Sequence, residues 1–210
     1  MSFSHVILDM GNVLLRFDPD AAVRLFFDSP EDRALAKRVL FCSPLWRELD
    51  RGTVTLSEIK TETARLLPAR LRNQAAACLE NWHVTMKPLP GAKDFVAALK
   101  AAGKRLYLLT NAGLQFYTYF PREMDLSLFD GRVVSAEEKL LKPDPAIYRR
   151  LMDRCSLDPA DCVFVDDTPE NVAAARRLGM CGVVFDGDHA RLLSDLLSGT
   201  GEQKNCIKSN

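Results

Sequence analysis

The sequence predicts an α/β fold, with a largely parallel sheet of about five strands and an all-helical segment inserted after the first strand. Three observations lead there. Short apolar runs alternate with stretches of helical periodicity, the pattern of βαβ units. Polar residues sit at the carboxyl ends of several of those runs. Residues 18–88 break the alternation and contain no clear strand run.

The elements follow in order. His5-Val6-Ile7-Leu8 reads as the first strand, ending at Asp9 and followed by Gly11. Asp18-Pro19 opens the first helix of the insertion, and Thr55-x-x-Glu58 has the form of a capping box for another. Asp50-Arg51-Gly52 reads as a turn between two of these helices. Phe95, Val96, Leu99 and Ala102 recur at helical spacing before Gly103, a natural stop. Arg105 to Leu109 is the next strand, ending at Thr110-Asn111, and Asp130-Gly131 turns into the short run Arg132-Val134. Asp144-Pro145 supplies an N-cap and first-turn proline for a helix with the stripe Ile147, Leu151 and Cys155. Cys162 to Val165 ends at Asp166-Asp167. A helix with Val172, Ala175 and Leu178 closes at Gly179, and Gly182 to Phe185 is the fifth strand. The organisation expected is a Rossmann-like core from residues 1–17 and 89–198, a helical segment at 18–88, and a flexible tail at 199–210.

Composition narrows the function classes. At 210 residues and 47% hydrophobic, the chain has enough apolar surface for one large domain or a core with a modest insertion. Lys+Arg and Asp+Glu both number 28, so nothing draws the chain generally to nucleic acid or an anionic membrane. No apolar run approaches the roughly 20 residues of a spanning helix. Met1 to Asp9 lacks the basic start of a secretory signal, and the expected location is cytoplasmic. The six cysteines lack CxxC or zinc-finger spacing and read as reduced thiols.

In an open parallel sheet, ligands bind outside the carboxyl ends of the strands. Asp9, Thr110-Asn111 and Asp166-Asp167 stand at three such ends, and Lys142 precedes a helix start on the same side. Three carboxylates, a hydroxyl, an amide and an ammonium converging on one edge suit a hard cation plus a phosphate. Asn171 opens the following helix, where it either caps the helix or hydrogen-bonds the acidic loop. His5, His83 and His189 read as structural or exposed. Trp46, Trp82 and Phe26-Phe27 read as the core of the insertion, with room for one aromatic in a substrate pocket. Tyr117, Tyr119 and Phe120 either pack under the insertion or form a dimer surface.

The segments VILDMGNVLL, LYLLTN, KPDPAIY and VFVDDTPENVAAARRLGM, in that order, resemble the four motifs of the haloacid dehalogenase superfamily, and the match runs from Ser4 to about Leu197. The insertion between Phe17 and Pro88 resembles that family's helical cap. The closest flavour is the group containing α-D-glucose-1-phosphate phosphatase and the phosphatase domain of soluble epoxide hydrolase. The resemblance implies a magnesium-dependent phosphatase acting on a small phosphorylated metabolite, such as a sugar phosphate, as a monomer or homodimer. It implies Asp9 as the nucleophile that forms an aspartyl-phosphate. Thr110 and the Asn111 backbone amide would bind phosphate, and Lys142 would neutralise it together with Asp9. Magnesium would be held by Asp9, the Gly11 carbonyl, Asp167 and Asp166, with Asp167 favoured as the direct ligand.

The chain departs from that family at Gly11, where most phosphatase members carry the aspartate that protonates the leaving oxygen. Glycine does no acid–base work. Asp18 is the nearest substitute in sequence, although it also suits the N-cap of the first inserted helix. Two rivals follow: a non-catalytic phosphometabolite-binding protein, and a 2-haloacid dehalogenase, which would leave the paired acids without a cation to hold.

Overall fold

A computed structural model of the chain describes residues 3–198. Five strands form one parallel sheet: β1 (His5–Leu8), β2 (Arg105–Thr110), β3 (Gly131–Val134), β4 (Cys162–Asp166) and β5 (Cys181–Val184). Their order is β3-β2-β1-β4-β5. β1, first in the chain, occupies the centre, with Val6 opposite Leu106 on one side and Val163 on the other. The strand order reverses beside β1, so the loops after β1, β2 and β4 open on one crevice. All five predicted strands are present; β5 begins one residue earlier than its apolar run suggests, at Cys181.

Residues 19–85 fold as helices and turns: α1 (Pro19–Arg24), α2 (Pro30–Leu40), α3 (Pro44–Arg51), α4 (Leu56–Leu66), α5 (Arg72–Asn81) and a 3₁₀ turn at Trp82–Thr85. Local chemistry sets their starts. Asp18, Ser29 and Ser43 each precede a first-turn proline, whose fixed φ suits that position. Asp18 accepts a hydrogen bond from the Ala21 N–H at 2.9 Å, and Ser29 one from Asp32 at 3.1 Å. The Thr55–Glu58 capping box forms in both directions. The segment leaves and rejoins the core through adjacent backbone, with Arg16 N–H donating to Lys87 C=O and Leu89 N–H to Leu14 C=O, each at 2.9 Å.

The expected turn at Asp50-Arg51-Gly52 needs correction. Asp50 and Arg51 belong to the last turn of α3, and only Gly52, at φ 73°, reverses the chain. A Cβ on Gly52 would sit 2.2 Å from the Ala136 carbonyl oxygen, so the helix end abuts core backbone with no room to spare. Ser135 Oγ donates to the Asp50 carbonyl at 2.5 Å, and Lys139 Nζ donates to that of Gly52.

The remaining helices are α6 (Ala92–Ala101), α7 (Phe116–Glu123), α8 (Ser135–Glu138), α9 (Pro145–Cys155), α10 (Pro169–Arg177) and α11 (His189–Ser198). Side chains alternate across the sheet as the strand period requires. Val6, Leu8, Leu106, Leu108, Val163 and Val165 share a core with α6, α7, α11 and the inserted helices. Ile7, Tyr107, Leu109 and Phe164 pack with α9 and α10 in a second core. Cys42, Cys78, Cys155 and Cys162 are free, whereas Cys181 is disulfide-bonded, which corrects the reading of six reduced thiols. A disulfide depends on Cα proximity in the fold, which scattered spacing does not reveal. No helix among the described residues is long and apolar enough to cross a membrane. The tail expected at 199–210 lies outside the described residues.

Replacing Gly52 with alanine should lower the unfolding free energy by about 2 kcal/mol, from the left-handed backbone cost plus the clash with Ala136. A reduced urea midpoint at unchanged slope is the expected readout.

Candidate active site

The carboxyl end of β1 sets the first functional group. Asp9 still pairs with the sheet, its N–H donating to the Val165 carbonyl at 2.9 Å, so its side chain emerges at the strand end beside β4. The chain then folds back, with Leu14 and Leu15 both donating to the Met10 carbonyl at 2.9 Å. Asn12 sits at φ 52°, a conformation asparagine tolerates better than most residues. Its Oδ1 accepts from Phe17 N–H at 3.0 Å and its Nδ2 donates to Asp167 Oδ2 at 3.3 Å.

Lys142 lies between two of the acids. Its Nζ is 2.7 Å from Asp9 Oδ1 and 2.7 Å from Asp166 Oδ2. The contact to Asp166 is a hydrogen bond. The one to Asp9 is an ion pair at the same distance, and Asp9 Oδ1 meets no other donor among the described residues. Lys142 is 3% exposed and Asp166 fully buried, which makes this a desolvated ion triad. Burial pushes the Asp9 carboxyl up to about 7; Lys142 opposes the shift and Asp166 adds to it. Burial works against the Lys142 ammonium, but Asp9 and Asp166 together hold it above its ordinary value.

Neighbouring amides fix the triad. Asn111 grips the Lys142 backbone, accepting from its N–H at 2.8 Å and donating to its carbonyl at 3.1 Å. Asp166 Oδ1 accepts from Thr168 N–H at 2.8 Å and from Asn171 Nδ2 at 3.0 Å. Asn171 thus bonds the acidic loop, one of the two roles its position allowed. Asp167 is held lightly: among the described residues its carboxylate meets Asn12 and Thr168 Oγ1, both at 3.3 Å. Carboxylate oxygens of Asp9, Asp166 and Asp167 lie within 4.8 Å of one another. This all-oxygen set, with a lightly held Asp167 beside Asp9, could accept a hard divalent cation.

A cavity of about 230 Å³ opens above the triad. Thr110, Asn111 and Gly11 line it from the core side, together with Asp9, Lys142 and Asp167. A Cβ on Gly11 would meet nothing within 4 Å, so the missing carboxylate there is not absent for want of room. Aromatic rings form much of the opposite wall. Trp46 stacks on Phe17 at 6.1 Å, and Trp82 meets Trp46 edge-on at 5.1 Å and Tyr119 at 5.5 Å. Trp46 and Trp82 are therefore both packing residues and cavity lining. Tyr119 and Phe120 are buried, as the packing alternative anticipated, while Tyr117 donates its hydroxyl to Glu137 at 2.9 Å.

The structure does not bring Asp18 into this cavity. Its carboxylate caps α1, and it is not among the lining residues. Asp50 takes a place there that the sequence did not suggest. Its Oδ1 accepts from Gly113 N–H at 3.1 Å, and burial pushes its carboxyl up to about 8 against that single bond. The histidines stay out of the chemistry: His5 meets Tyr107, His83 stacks on Tyr119, and His189 faces the Val13 and Pro90 carbonyls.

Because the folded Asp50 carboxyl titrates near 8 and an unfolded one near 3.9, the folded state binds the extra proton between those values. Its contribution to stability therefore falls as pH rises from about 4 to about 8. Asp50→Asn keeps the Gly113 hydrogen bond and cannot ionise. It should be more stable than the parent at pH 8, with the difference vanishing near pH 4, in parallel urea titrations.

Comparisons with known proteins identify the family and the fold. Residues 3–179 match the haloacid dehalogenase-like hydrolase family model. The chain is 27% identical over 185 residues to the sesquiterpene phosphatase astK of Aspergillus oryzae, covering 87% of this chain and 89% of that protein. It is 31% identical over 187 residues to the drimenol cyclase drtB of Aspergillus calidoustus, covering 86% of this chain but 33% of that larger protein. Among solved structures, a haloacid dehalogenase family enzyme of Bacteroides thetaiotaomicron, in complex with magnesium and inorganic phosphate, superposes with a TM-score of 0.72 at 18% identity. That match covers 91% of this chain and 99% of the other, and shows a shared fold.

Proposed function

This chain belongs to the haloacid dehalogenase-like hydrolase family, and we propose that it is a magnesium-dependent phosphatase that cleaves a small phosphate monoester through an aspartyl-phosphate on Asp9. The observation that carries this reading is the buried Lys142 held 2.7 Å from both Asp9 and Asp166, with carboxylate oxygens of Asp9, Asp166 and Asp167 gathered within 4.8 Å of one another. Asp9 and Asp167, with the Gly11 carbonyl, would hold magnesium, and Asp166, saturated by Lys142, Asn171 and Thr168, orients the lysine. The cation would supply neutralisation of charge on the transferring phosphoryl group.

The chain's own residues do the rest. Asp9 attacks phosphorus from the strand end. Lys142, the Thr110 hydroxyl and the Asn111 backbone N–H receive the phosphoryl oxygens, so negative charge is met by groups already in place. Residues 18–88 act as a cap over the core formed by 1–17 and 89–198. The cap's aromatic wall excludes water and receives the body of the substrate. That wall favours a phosphate ester with an apolar body over a sugar phosphate, and the similarity to a sesquiterpene phosphatase supports the same choice. A dehalogenase would need no cation, and the three acids would then share the single charge of Lys142.

With magnesium, the protein should hydrolyse nitrophenyl phosphate, and chelation should abolish the activity. Asp9→Asn should lower kcat at least about a thousandfold, as removal of a nucleophile does. No hydrolysis across a broad panel of phosphates would favour the binding protein instead. Trp82→Ala should raise KM for an isoprenyl phosphate about tenfold, the loss of roughly 1.4 kcal/mol of apolar contact, while leaving glycerol phosphate nearly unaffected.

A further inference from the structure

Gly11 leaves the proposed phosphatase without a proton donor for the departing oxygen, and the cavity contains one carboxyl that no other role absorbs. We propose that Asp50, from the last turn of α3, is the general acid and base of the reaction, taking the place that Gly11 leaves empty. This rests on the phosphatase reading.

Position comes first. Asp50 lines the same cavity as Asp9, Thr110 and Lys142, but reaches it from the inserted helices rather than from a strand end. Its placement is over-determined: Ser135 Oγ holds its carbonyl at 2.5 Å, Gly113 N–H holds Oδ1 at 3.1 Å, and the next turn abuts Ala136. Such support is what a group must have to meet a reacting atom within a fraction of an ångström.

Partners come second. Among the described residues no hydrogen bond reaches Asp50 Oδ2, and no cation lies within ion-pair distance of the carboxyl. The charged groups sharing the cavity are Asp9, Asp167 and Lys142, and Lys142 is committed to Asp9 and Asp166. Trp46, Trp82 and Tyr119 line the same space, so apolar rings take up much of its wall. The neutral carboxyl is therefore the favoured form at neutral pH, which its raised pKa supports. Asp18, the alternative by sequence, spends its carboxylate on Ala21 outside the cavity.

The proton balance closes. As Asp9 Oδ bonds to phosphorus, the phosphorus–ester oxygen bond breaks and its electron pair goes to the leaving oxygen. That oxygen takes the Asp50 proton and departs as an alcohol, leaving Asp50 as a carboxylate. Asp50 then removes a proton from the water that attacks the aspartyl-phosphate. The phosphorus–Asp9 bond breaks, phosphate leaves, and both carboxyls return to their starting states.

The test exploits leaving-group chemistry. A nitrophenolate departs without a proton, whereas an alkoxide does not. In the full-length protein with magnesium, Asp50→Asn should lower kcat/KM for an alkyl phosphate about a hundredfold or more, while kcat/KM for nitrophenyl phosphate stays within about threefold. Steady-state kcat should fall for both esters, with a burst of nitrophenol, because the second step still needs the base. Asp50→Ser should show the same split, and inorganic phosphate should bind both variants as it binds the parent. An equal fall in kcat/KM on the two esters, or unimpaired alkyl ester cleavage, would overturn the assignment of Asp50 alone. A parent protein inert toward both esters would overturn the phosphatase reading, and this assignment with it.

Discussion

One buried ammonium organises the site. Lys142 enters from the loop before α9 and places its charge between the ends of β1 and β4, at equal distance from Asp9 and Asp166. Desolvating three ions is expensive, and such a cluster persists only when its remaining lone pairs and protons are satisfied. That requirement accounts for the surrounding residues. Asn111 holds the lysine backbone, Asn171 and Thr168 fill the Asp166 carboxylate, and Asn12 tethers Asp167. Three carboxylates against one ammonium still leave the cluster with excess negative charge, the condition under which an oxygen-lined pocket takes up a cation.

The two sides of the cavity divide the chemistry between them. The core side gathers charge and fixes it by hydrogen bonds from the residues that follow the strands. The inserted side contributes rings and a carboxyl with no cation beside it. Asp9 and Asp50 thus have the same side chain in different settings, Asp9 beside the Lys142 ammonium and Asp50 with no cation within ion-pair distance, while burial pushes both carboxyls up.

The sheet and the core half of the site were legible in the sequence for the same reason. A strand that ends in a polar residue projects that residue into the crevice whatever else the fold does, and Asp9, Thr110 and Asp166 all lie at such ends. Lys142 was legible from its place just ahead of an N-cap. Asp50 was not. Asp-Arg-Gly reads as a turn, and the place of Asp50 in the cavity depends on the docking of α3 against Gly113 and Ala136, more than sixty residues away, which no local periodicity encodes. Asn12 was missed although it follows glycine immediately after the strand, where a left-handed residue often reverses the chain. Asp18 shows the converse: its capping pattern was legible, and the cap is where its carboxylate goes.

The central place of β1 has a consequence for how the molecule is made. His5 pairs with Arg105 on one side and with Cys162 on the other, so both neighbours of the first strand lie far down the chain. Contacts of such long sequence separation form slowly, because loop-closure entropy is lost before the pairing is gained. Until β2 and β4 dock, Val6, Ile7 and Leu8 form an apolar strand with two open edges. The strand that carries the proposed nucleophile is thus protected on both edges only once two segments far along the chain have docked beside it, and an unpaired strand edge is where misassembly starts.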